Sequence, residues 1–172
     1  MACGGYGNAS LFEKLVSLGA TSDFGLLHRA IQPVNRATRI LNDIVLRLDE
    51  AGRLRNGRVS IRRLENQERL YGDRLDRALD VLEAVAHLYR MEGRSFDERE
   101  RGEGREDFTP AHVVAREGCL AALKILVRYS GGNCIHREIR TPEGESVYQL
   151  VLNNRRRDME RWIRHHHGGI AI

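Results

Sequence analysis

Lysine is almost missing from this 172-residue chain: Lys14 and Lys124 stand beside 26 arginines. The planar guanidinium suits bidentate contacts with carboxylates and phosphates, so the bias could serve a charged partner, and codon composition explains it equally well. Proline occurs three times, tryptophan once, and aromatics make up only 6% of the residues, which excludes collagen-like and Pro-rich extended chains. Apolar runs are short, and none approaches the roughly 18 residues of a membrane-spanning helix. The opening MACGGYGNAS has neither a basic nor an apolar leader region, so a cytoplasmic or nuclear location is expected and no membrane partner. Three cysteines (Cys3, Cys119, Cys134) are an odd number without close pairing and fit a reducing compartment better than a disulfide framework. Sustained alternation of β-branched residues is also lacking, so a sheet is not expected.

What the chain does have is charge of both signs, 30% of its residues, with a net +4. Over Arg47 to Arg77 nine basic and six acidic residues interleave, the pattern of solvated helix faces with intrahelical ion pairs rather than of a nucleic-acid binder. Apolar residues recur at helical spacing in four segments. Leu11, Phe12, Leu15 and Val16 form the first, opened by Ser10 with Glu13 three residues later, a capping-box spacing, and closed by Gly19. Ala37, Ile40, Leu41, Ile44, Val45 and Leu48 share one face. Leu75, Ala78, Leu79, Leu82, Val85, Ala86 and Tyr89 repeat the pattern, as do Leu120, Leu123, Leu126 and Val127, and Met159, Trp162 and Ile163 form a weaker fifth segment. Between the third and fourth lies Arg94 to Asp107, with four arginines, six acids and two glycines, which reads as an exposed mobile loop.

The stretch from Asp107 to Gly118 carries Thr109-Pro110-Ala111-His112 followed by Val113-Val114-Ala115 and, after Gly118, an apolar run to Tyr129. Each element has a physical reason. Thr109 can cap a helix, Pro110 suits the first helical position, and Gly118 can take a left-handed turn. The stretch resembles an ankyrin repeat, with Ala111 in the leucine place and Val114 in the first alanine place. Phe24 to Ala30 looks like the start of another copy whose second helix is 37–48, and Asn56 to Ile61 looks like the next tip and first helix. The separation of Leu27 and Ile61, 34 residues, is close to the family period of about 33. Gly144 to Gln149, with Ser146 in the threonine place, opens the last copy.

The resemblance implies a single all-α domain over 1–172, an ankyrin solenoid of three to four degenerate repeats. Its parts are a half repeat at 8–20, repeats at about 23–52, 56–92, 106–134 and 143–168, and a mobile insertion at 94–107. Such an array needs polar ends, and Arg155, Arg156, Arg157, Asp158, Glu160 and Arg161 are expected to supply one. His112 is expected to tie down its turn rather than to catalyse. Partner contacts are implied at Arg29, Gln32, Arg58, Phe108, Val113, Arg116, Glu117, Glu145, Asn153 and Asn154, the outward positions of first helices and turn tips.

Catalytic, metal and cofactor sites are not expected. Gly102-x-Gly104 follows no strand, so it is no nucleotide fingerprint. Cys119, Cys134 and His136 lack a closely spaced ligand pair, and His165-His166-His167 lacks a structured partner set. Small proteins made of little but ankyrin repeats include regulators that act with a Ser/Thr protein kinase in embryonic division cycles. The resemblance thus implies a non-enzymatic regulatory subunit that binds a kinase, or bridges it to its activator, and controls DNA replication. The alternative is an IκB-like inhibitor of Rel-type transcription factors.

Overall fold

The computed structural model describes residues 9–10, 14, 25–53, 58–99 and 107–171, without the side chains of 52, 53, 58–60 and 169–171. It is all-helical, and among the described residues β-structure is limited to one isolated antiparallel bridge, Arg140 to Ser146. Among the described residues, from residue 25 onward, six helices follow one another: α1 Leu26–Arg53, α2 Arg58–Met91, α3 Pro110–Glu117, α4 Leu120–Ser130, α5 Val147–Asn153 and α6 Arg157–Ala171, with a 3-10 turn at Asn133–Ile135. None of them is long and apolar enough to cross a membrane.

α1 and α2 run antiparallel. Their four-residue connection and mutual packing require it, and Tyr89 near the end of α2 reaches the backbone of Leu27 at the start of α1. The shorter helices stack on this hairpin as pairs. α3 packs on α1 and α5 on α3, making a front row, while α4 packs on α2 behind, and α6 closes the stack against α5. Leu27, Ile31, Val34, Leu82, Val85, Ala111, Ala115, Leu123, Leu126, Val151, Met159 and Ile163 form one buried core through all the pairs.

The sequence places two helix pairs in 23–52 and 56–92, and the structure corrects both. Each stretch is a single helix. The reason is an unbroken stripe. In α1, Leu27, Ile31, Val34, Ala37, Leu41, Ile44 and Leu48 are buried or half-buried, a run that keeps one helical phase through Pro33. In α2, Ile61, Leu64, Tyr71, Leu75, Ala78, Leu82, Val85 and Tyr89 do the same. Neither helix interior has a left-handed glycine to stop it. The 34-residue separation of Leu27 and Ile61 therefore joins two faces of one hairpin and marks no repeat. The half repeat expected at 8–20 lies almost wholly outside the described residues.

The expected helix stop at Gly118 does occur in the second pair, and Gly131 supplies a second one. Gly118 (φ 84) and Gly131 (φ 67) are left-handed and end α3 and α4, their N–H groups bonding back to Val114 and Val127 carbonyls. A Cβ on Gly118 would also lie 2.6 Å from Nε of Arg156. Arg156 is accordingly no part of a solvent-facing end. It reaches back to donate to the Arg116 carbonyl at 3.2 Å, whereas Arg155, Arg157, Asp158 and Arg161 are exposed.

The segment expected as a mobile loop also needs correction over 94–99. Phe96 is buried against Tyr89, and the Glu98 carboxylate is a hub. It accepts from Tyr89 Oη at 2.9 Å and from Arg94 at 2.7 Å, and the Gly25 N–H points at it from 3.5 Å. An anion at the start of α1 also complements the helix dipole. Burial, outweighing the other influences, pushes the Tyr89 hydroxyl up to about 12. Residues 100–106 lie outside the described ones, but their flanks are tied: Arg99 donates to the Asp107 carbonyl at 3.2 Å and to that of Arg140 at 2.9 Å.

Candidate protein-docking face

Three equivalent side chains set the start of each front-row helix. Thr109 has the extended backbone of an N-cap, yet its hydroxyl makes no bond to a helix amide; it lies 2.7 Å from Nδ1 of His112. The expected threonine cap is thus a threonine–histidine pair. His112 is fully buried, and burial pushes its ring down to about 4, the carbonyls of Ile139 and Glu145 pulling weakly the other way. Nε2 has no direct hydrogen bond, and a neutral ring accepting the Thr109 O–H at Nδ1 presents its N–H toward those carbonyls. One pair earlier, His28 is buried and donates from Nε2 to the Glu98 carbonyl at 2.7 Å. One pair later, Ser146 and Gln149 form a reciprocal capping box. His28 thus keys α1 to the loop at Glu98, while the other two pairs fix the first turns of α3 and α5.

The keyed helices leave a front surface. Arg29, Gln32 and Asn153 are exposed, while Val113 and Arg116 are half-buried. These five lie on three consecutive front-row helices, α1, α3 and α5. The remaining positions behave differently. Phe108 is only 5% exposed, so it is not an aromatic tip; its ring sits beneath the Arg116 guanidinium, 4.9 Å away. Glu117 is buried and forks onto Nε and Nη2 of Arg39, with Arg116 Nε 3.7 Å off. It ties α3 to α1 and is unavailable as an outward contact. Glu145 accepts from Asn153 Nδ2, and Asn154 donates to the Leu150 carbonyl, so both are engaged within the last pair. The Arg58 side chain is outside the described residues.

Two residues of this surface escape a reading by repeats, Arg36 and Arg39. Both are exposed; Arg36, seven residues from Arg29, lies about two turns on and nearly in line with it, and Arg39, ten residues on, lies about 80° round the helix. Their signal was the continuity of α1. The hydrogen bond and charge of Glu117 hold the Arg39 guanidinium further in its charged form. Its side chain is nevertheless 66% exposed, so the fork fixes one edge and leaves the other N–H groups toward solvent.

Chemistry elsewhere is sparse. Cys119 and Cys134 are buried free thiols, and burial pushes that of Cys134 up to about 12. Among the described residues no three His, Cys, Asp or Glu side chains are grouped to hold a metal. His166 and His167 instead pack on Trp162, with ring centres 5.4 and 5.1 Å away. No protein-family model, curated protein or solved structure matches the chain.

Proposed function

We propose that this chain is a non-enzymatic protein-binding subunit built of ankyrin-type helix pairs, the first pair greatly lengthened. The observation that carries the reading is the shared start of the front-row helices: His28, the Thr109–His112 pair and the Ser146–Gln149 box occupy corresponding places in the first turns of three successive first helices. That arrangement spends its titratable residues on structure. Beside it Arg29, Gln32, Val113, Arg116 and Asn153 lie on rigid elements as the proposed contact surface, Asn153 sharing its amide with Glu145, which suits recognition of a protein. The partner class follows from the sequence resemblance alone: a Ser/Thr protein kinase complex, with the chain as a regulatory component in DNA replication and the embryonic cell cycle. Affinity purification of the wild-type chain and of Leu152→Asp, an exposed change on α5, tests this. A kinase subunit recovered with the wild type and depleted with the variant supports the reading. Equal recovery of every partner with both chains places binding elsewhere and contradicts it.

A further inference from the structure

We propose that a second copy of this chain covers the outer half of the α1–α2 hairpin, 41–53 and 58–75, the two hairpins packing antiparallel about a two-fold axis. The inner half shows which side of each helix takes a cover. On α1 it is the side of Arg39, whose guanidinium meets Glu117 of α3. On α2 it is the side of Glu83 and His87: Glu83 accepts from Arg128 at 2.8 Å and from Tyr129 at 3.1 Å, and the ring centres of His87 and Tyr129 lie 6.0 Å apart, both partners belonging to α4. α3 and α4, with 8 and 11 residues, are too short to follow the hairpin outward. Beyond them the same sides lie exposed. Val45, five turns after the fully buried Leu27, is 51% exposed, and Leu46, about two turns past Arg39, is 65% exposed.

The charges on that side choose the occupant. Glu65 and Arg69 are exposed, and they sit five turns before Glu83 and His87, hence on the side that faces α4 further along. At the same four-residue spacing Asp43–Arg47 and Glu160–Arg164 close as ion pairs at 2.9 and 3.1 Å, whereas Glu65 and Arg69 make no ion pair among the described residues. An antiparallel copy of α2 centred on Gln67 brings Glu65 of each chain opposite Arg69 of the other, twice by symmetry. In that register residue 76, an aspartate, falls opposite residue 58, an arginine, while Glu68 falls opposite Asn66 and Arg62 opposite Gly72, so no like charges meet. The same axis sets α1 on α1 and covers Val45 and Leu46 of both copies. Charge thus fixes the register, and the apolar residues supply the affinity. Outer halves about 20 and 27 Å long and two helices wide offer roughly 500 Å² per copy, the lower bound of a specific interface, so a dimer is expected at micromolar concentrations.

Sedimentation equilibrium of the full chain over the micromolar range tests this. Expected is a reversible monomer–dimer equilibrium, weakened roughly tenfold or more in Glu65→Arg, in Arg69→Glu and in Leu46→Asp, and unchanged in Arg161→Glu on α6. Because the axis sets position 65 of one copy against position 69 of the other, mixing Glu65→Arg with Arg69→Glu should restore association as a heterodimer, identified by a tag on one of the two. Circular dichroism verifies that each variant folds; should Leu46→Asp not fold, the two surface reversals and their mixture carry the test. A wild type that stays monomeric overturns the proposal, and so does a dimer indifferent to the reversals. Loss of the dimer in both reversals without recovery on mixing also overturns it, since the two residues would then not face each other across a two-fold.

Discussion

The first helix pair and the second are built from the same kinds of residue and end up very different. α1 and α2, with 28 and 34 residues, extend about 42 and 51 Å; α3 and α4, with 8 and 11, reach only about 12 and 16 Å. The second pair has a left-handed glycine at each helix end and buried residues along both helices. The first lacks internal stops, and only its half nearest the stack is deeply buried. In α2 full burial begins at Ala78, while Ile61 to Leu75 is half-buried or exposed. Helix length here follows from where a chain can stop, and packing density from how many neighbours a segment has.

The largest expected contrast comes from adding a charge. Ala115 is fully buried between pairs, so Ala115→Arg overpacks the core and buries a cation, costing about 4 kcal/mol or more. Asn66→Arg on the exposed face of the hairpin should stay within about 0.5 kcal/mol. Urea unfolding of the two variants measures the gap, and equal midpoints would remove the distinction between the regions.

Acid should act next most strongly, and through the second pair. Native His112 stays neutral down to about pH 4, whereas in the unfolded chain it takes up a proton below about 6.5. The stability it contributes is complete above pH 6.5 and is lost as pH falls from 6.5 to 4, by about 3 kcal/mol in all. Unfolding curves across that window should show the slope, and His112→Gln, which copies the residue at 149, should flatten it.

Glu98 tests the seam between the regions. Glu98→Ala leaves Arg94, a fifth exposed, without its carboxylate and Tyr89 without its acceptor, at a cost of about 2–3 kcal/mol. Wild-type stability for this variant, read from thermal melts, would return 94–99 to the status of a dispensable loop.

The smallest effects have opposite signs. Gly118→Ala forces a left-handed alanine against Arg156 and should destabilise by about 1–2 kcal/mol. Gly72, inside α2, has open space where a Cβ would go, and Gly72→Ala should stabilise by about 0.5–1 kcal/mol. Calorimetry on the pair checks both signs.

These contrasts show how much was legible in the sequence. The second pair was the most legible, because Thr109, Pro110 and Gly118 act locally and a local signal survives in the sequence. The role of Thr109 was half legible: its position was right, and its partner proved to be a histidine ring. The hairpin was misread because a period was sought where a phase should have been followed. Pro33 lies inside α1, and a proline costing about 3 kcal/mol within a helix is outweighed when Ile31, Val34 and Ala37 on either side are buried. Of the expected contact positions, Arg29, Gln32 and Asn153 are exposed and Val113 and Arg116 half-buried, on α1, α3 and α5. Glu117 and Phe108 turn inward because both have partners distant in sequence or perpendicular to the helix face, Arg39 and the Arg116 guanidinium, which no local pattern announces.

The continuity of α1 underlies both the lengthened first pair and the arginine stripe on it, and a single distance measures it. Nitroxide labels at Arg29→Cys and Arg47→Cys, in a Cys3→Ser background with Cys119 and Cys134 buried, sit 18 residues apart on one side of the helix. Pulsed electron–electron resonance should give one narrow distribution centred near about 27 Å. A helix–turn–helix over the same residues would bring the labels to within about 15 Å, and a distribution centred there would contradict the account.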